Sequence, residues 1–95
     1  MSLERDIEYM LIALEQAKAA MQQGEVPVGA VLVHGDDIVA CAHNMTETLD
    51  DPTAHAELIA IQLVPPYLQQ LVKLLIVLYA CDVFFHFLLD ISCII

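Results

Sequence analysis

The uninterrupted apolar run Val28-Gly29-Ala30-Val31-Leu32-Val33 constrains this chain more than any other feature. A strand with one wet face alternates polar and apolar residues, whereas a continuous run marks a strand covered on both faces. The turn-forming His34-Gly35-Asp36-Asp37 follows, and Ile38 to Ala42 is a second apolar run. Two neighbouring strands joined by a short connection, an antiparallel hairpin, are the economical reading, with His34 as a solvated loop residue.

On either side of the hairpin the pattern turns helical. Leu3, Ile7, Met10, Leu14, Ala17 and Met21 fall at alternating steps of three and four, which predicts a helix over residues 3–22 with that face inward, Ser2 as N-cap and Gly24 as stop. Met10 and Met21 read as core filler. After the polar stretch from His43 to Asp51, Asp51-Pro52 offers an N-cap followed by a proline at the first helical position, predicting a second helix over residues 52–63. Pro65-Pro66 closes it. Leu74 to Ala80 is a buried strand or part of a helix, between which periodicity does not choose.

With 95 residues the chain is one domain at most. Its formal charge of -10 provides no basic surface to draw in a nucleic-acid backbone. Cys41, Cys81 and Cys93 are odd in number and lack short spacing, and the first residues lack the order of an export signal. A reducing cytoplasmic setting with cysteines in ordinary packing is the expectation. Composition changes near Gln62: residues 1–61 carry 11 acids and 2 bases, whereas residues 62–95 carry only Lys73, Asp82 and Asp90 and are apolar at 24 of 34 positions. The division expected is residues 1–61 as one region and 62–95 as an apolar tail.

The residues with chemistry gather around Thr53-Ala54-His55-Ala56-Glu57, preceded by His43-Asn44. Individually they are bland: a surface histidine, a glutamate in a first helical turn, a turn-forming asparagine. In order, however, Glu25-Val26-Pro27-Val28-Gly29-Ala30-Val31, His43-Asn44 and Asp51-Pro52-Thr53-Ala54-His55-Ala56-Glu57 closely resemble the bacterial tRNA-adenosine deaminases of the cytidine-deaminase-like superfamily, over about residues 3–61. The resemblance implies an α/β fold, a cytidine-deaminase-like α/β/α sandwich of which helix, two-strand hairpin and helix form the N-terminal part. It implies a hydrolase converting adenosine to inosine at the tRNA wobble position, a homodimer, and a zinc-bound water that attacks the base. His55 is then the metal ligand and Glu57 the acid/base that shuttles protons to the departing amine. Asn44, Pro27, Val28, Gly29 and Ala30 lie beside the nucleotide, although Gly29 and Ala30 equally suit tight packing against a helix. Glu57 stands two positions from His55, about 200° around the predicted helix, so the two do not bind one metal side by side, as befits a glutamate that is not a ligand.

The family completes its zinc site with a later P-C-x-x-C, and this sequence contains none. The family's usual interval from His55 falls on Phe85 and Leu88, although Leu78-Tyr79 occupies the place of the Leu-Tyr that precedes the cysteines in the family. The resemblance therefore implies zinc, while the donor set argues for an incomplete site and no full-strength zinc or deaminase activity. Three readings of residues 62–95 are compatible with the sequence. They are an out-of-frame, truncated or diverged enzyme segment, a non-catalytic oligomerisation or binding module, or a membrane-associated protein through Leu74 to Ile95. For that last stretch, the apolar gain and the cost of Asp82 and Asp90 sum to near zero or modestly favourable.

Overall fold

The computed structural model describes residues 3–80 and 83–90, and the side chains of residues 4–77. Helix α1 (Leu3–Gln22) leads into strands β1 (Val28–His34) and β2 (Asp37–His43), then helices α2 (Ala56–Gln62) and α3 (Pro66–Gln69), then strands β3 (Lys73–Ala80) and β4 (Val83–Asp90). The strands form one sheet in the order β2-β1-β3-β4, every neighbouring pair antiparallel.

The apolar run becomes β1, with both faces covered as expected. Val31 and Val33 face α1 together with Leu75 and Val77 of β3. Ala30 and Leu32 face the other way, into a cluster with Ala40 and Ala42 of β2, Ala56 and Ala60 of α2, and Leu74 of β3. One strand thus supplies alternate residues to two cores, giving three layers, α/β/α. Full burial of leucines such as Leu32, Leu74 and Leu75 stabilises by about 1.5–3 kcal/mol each. Leu74 to Ala80 resolves as strand and includes Leu78-Tyr79; β3 lies at the centre of the sheet, where a continuous apolar sequence is required. The β1–β2 connection is a hairpin with Gly35 at φ +61°, and a bulge interrupts the register between Leu32 and Val33.

Helix α1 has the expected limits but a different inner face. Tyr9, Ala13, Ala17 and Ala20 are buried, while Ile7 and Met21 are 50% and 47% exposed and Met10 is half-buried. The reason is close approach. A Cβ built on Gly29 would stand 2.0 Å from the Ala13 carbonyl oxygen and 2.6 Å from the Ala17 nitrogen. Only the small residues of α1 fit a contact in which helix backbone lies against strand backbone, so the larger apolar residues turn to the flanks. At its end, Glu25 N donates to Ala20 O and Gly24 N to Met21 O, a Schellman closure with Gly24 at φ +77°.

The second helix starts later than the sequence suggested. Pro52 and Thr53 lie in a turn that Asp51 closes through Thr53 N at 2.9 Å, and His55 is the extended residue before the helix, at φ -79° and ψ 148°. Asp51 therefore caps a turn rather than the helix. Pro65-Pro66 ends α2 as expected, and Pro66 opens the short α3. Among the described residues no helix is long and apolar enough to cross a membrane.

Candidate active site

The ends of β1, β2 and α2 meet at one edge of the sheet. Asn44, the first residue after β2, donates its backbone N–H to Val28 O at 3.1 Å, and its side-chain oxygen accepts the N–H of Ala56 at 2.9 Å. Helix α2 has no cap from its own His55, so an asparagine from another segment satisfies its first N–H. Asn44 is 3% exposed, and the low dielectric around it makes that bond costly to lose.

This arrangement sets out the residues singled out in the sequence. His55 is exposed at the head of α2, and Glu57 is half-buried in its first turn. Because His55 is extended rather than helical, the angular relation expected for two residues of one helix does not hold. Val28 and Ala30 pack into the cluster containing Ala56, so the start of β1 lies beside the start of α2, with Pro27 half-buried before it. Gly29 points to the opposite layer, and the close approach it permits is that of α1. His43 turns aside, its Nδ1 lying 2.9 Å from Asn44 O.

Between β2 and α2, residues 44–55 form a compact loop tied to itself. Met45 N donates to Ala54 O at 2.9 Å and Asp51 N to Thr46 O at 3.0 Å, while Asp50 takes the left-handed conformation at φ +50°. A shallow hollow of about 390 Å³ opens beside it, lined by Thr46, Glu47, Asp50, Asp51, Pro52 and His55. Its acids make it unfavourable ground for a phosphate backbone. Glu25, which sequence reasoning passed over, holds the loop: its carboxylate accepts from Thr46 Oγ1, Glu47 N, Thr48 N and Thr48 Oγ1. Burial pushes its pKa up, but the hydrogen bonds from Thr48, Glu47 and Thr46 outweigh this and leave it below the ordinary glutamate value. The signal was an acid three residues ahead of a covered strand, matched by the Thr46 and Thr48 hydroxyls downstream. Asp51 is also lowered, by the Thr53 hydroxyl and amide.

A catalytic zinc takes three protein ligands and keeps one position open. Among the described residues no three His, Cys, Asp or Glu side chains stand close enough to hold one ion, so the donors of residues 4–77 do not by themselves fit zinc. Cys41 is exposed on β2 rather than packed, its sulfur accepting from Gln16 Nε2 at 3.7 Å. An edge strand with alternating burial has room for it on the open side. The expected packing of Cys81 and Cys93 lies outside the described residues. Positions 85 and 88 fall on β4, and a strand, with its period of two, is not the local structure that sets two ligands three apart side by side.

The sequence pattern described as the cytidine and deoxycytidylate deaminase zinc-binding region matches residues 3–83. The chain is similar to the tRNA-specific adenosine deaminase of Aquifex aeolicus, 55% identical over 56 residues, which cover 58% of this chain and 37% of that protein. The chain thus spans little more than a third of that relative's length. A solved structure of a tRNA:A34 deaminase, studied for A-to-I editing at the wobble position of transfer RNA, superposes with a TM-score of 0.60 at 41% identity, covering 61% of this chain and 45% of that one. Guanine deaminase from Bacillus subtilis superposes at 0.56 and 35% identity, over 66% of this chain and 39% of that one.

Proposed function

The chain belongs to the cytidine and deoxycytidylate deaminase zinc-binding family, and from that membership we propose that it presents the nucleoside-holding side of an adenosine deaminase site without a whole metal centre. One observation carries the reading: Asn44 caps the helix whose first residues follow His55 and include Glu57, beside the start of β1. The relatives support adenosine as the base and transfer RNA as its carrier. Homodimerisation and cytoplasmic residence belong to the same proposal.

In this reading the half-buried Val28, backed by the buried Ala30, is the surface against which a planar base rests, and Asn44, held by its bond to Ala56, has a fixed amide to offer the nucleoside. Glu57 is the group that would pass a proton to the departing amine. Hydrolysis also needs an activated water, and a single imidazole does not assemble the centre that supplies it in this family. Binding without turnover is the result.

Purine riboside added to the isotope-labelled chain tests this. The amide signals of Val28, Ala30 and Asn44 should shift on titration, while an adenosine-34 anticodon stem-loop incubated with the chain and added zinc should yield no inosine by mass spectrometry. Unmoved signals would remove the nucleoside-binding side of the proposal. Inosine formation lost in Glu57→Ala would show a complete site and overturn the other side.

A further inference from the structure

Glu25 is 5% exposed, an unusual place for a carboxylate. Such a group persists only where donors replace its water, and here four uncharged donors do so: Thr46 Oγ1 at 3.3 Å and Glu47 N at 3.1 Å on one oxygen, Thr48 N at 2.5 Å and Thr48 Oγ1 at 2.6 Å on the other. The backbone of Glu25 is committed as well, closing α1 through Ala20 O. A residue fixed at the end of one helix thus grips a loop that precedes another.

Hydrogen bonds continue from the grip to the candidate site. Thr46 O accepts from Asp51 N at 3.0 Å, Asp51 Oδ1 accepts from Thr53 N at 2.9 Å, and Thr53 O accepts from His55 N at 2.8 Å. At the loop base, Met45–Ala54 and Asn44–Ala56 bonds complete the frame. The mid-loop is therefore held from outside by Glu25, and His55 is the residue at which its internal bonds end. We propose that Glu25 is a positioning residue, whose carboxylate sets the place of His55 through the segment from Thr46 to Thr53. Its importance to function rests on the reading of His55 and Glu57 given above; the coupling itself does not.

Glu25→Gln is the informative change. A carboxamide has one accepting oxygen, so its NH2 must face either the Glu47 or the Thr48 amide, and at least one backbone bond is lost whichever way the group turns. In the isotope-labelled full chain, hydrogen exchange at Glu47 and Thr48 should rise at least tenfold. The His55 ring and amide signals should move or broaden while the amides of Val31 and Leu75 stay in place. Glu25→Asp, which keeps the charge, should restore part of the His55 signature. An unchanged His55 in the presence of an opened Glu47 and Thr48 would overturn the proposal, leaving Glu25 as a loop anchor alone. If Glu25→Gln does not fold, Thr48→Val removes one hydroxyl donor and is read in the same way: a moved His55 supports the coupling and an unmoved one sinks it. Nucleoside plays no part in this experiment, so its outcome is separate from that of the purine riboside titration.

Discussion

Replacing Gly29 with alanine adds one methyl group where two backbones touch. The new Cβ would lie 2.0 Å from Ala13 O, 2.6 Å from Ala17 N and 2.8 Å from Gln16 Cβ. Restoring ordinary contact with the carbonyl alone requires α1 to retreat by about 1.4 Å, and a gap of about 0.5–1 Å already forfeits a quarter to a half of a dispersion contact. Overpacking costs about 1–3 kcal/mol in general, and the upper end applies here because the obstacles are backbone atoms of a continuous helix. Reduced freedom in the unfolded chain returns about 0.4–1 kcal/mol. The net loss of about 2 kcal/mol or more corresponds to a fall in Tm of roughly 8–16 °C for a domain of this size. Thermal unfolding followed by circular dichroism measures it, with Gly35→Ala as the reference. Gly35 lies at φ +61° with nothing within 4 Å of an added Cβ, so only backbone strain of about 1–2 kcal/mol applies there. A Tm drop below about 4 °C would refute the backbone contact as the reason α1 turns its small residues inward.

Asn44→Leu keeps the branched outline but removes the acceptor for Ala56 N, and should cost about 1–3 kcal/mol in urea unfolding, with faster exchange at the Ala56 amide. An unchanged amide would mean that α2 does not depend on this cap. For acid stability the signs of Glu25 and Asp51 agree. Both are lowered in the folded chain from 4.5 and 3.8, so each contributes stability that is complete above the unfolded value and lost as pH falls through the lower folded one. Glu25→Gln should flatten the acid limb of a stability-versus-pH curve below about pH 4.5, and an unaltered limb would contradict the role given to its hydrogen bonds.

Most of the architecture was legible because it rests on burial periodicity. A six-residue apolar stretch at Val28 to Val33 has no stable place except between two layers, and Gly35-Asp36 fixes the hairpin locally. The inner face of α1 was not legible. Periodicity ranks residues by apolarity, whereas the contact with Gly29 selects by size, so Ala13, Ala17 and Ala20 displaced Ile7 and Met21. The start of α2 was misplaced because Asp51-Pro52 serves equally well as a helix cap or as a turn. The choice was made by Asn44, a residue distant in sequence from Ala56. For the site, the ordered motifs singled out Asn44, His55 and Glu57, which the fold brings to one end of α2, but the hold of Glu25 on the loop depends on a loop conformation that no local pattern encodes.

The number of ligands the chain offers to zinc separates a complete centre from an incomplete one. Protein purified from zinc-supplemented cells without a metal-affinity step, then dialysed and analysed by inductively coupled plasma mass spectrometry, gives the ratio directly. A ratio well below one zinc per chain, unaffected by His55→Ala, is expected of a site with a single imidazole. One retained zinc per chain, lost in His55→Ala, would contradict it and show that a complete centre forms.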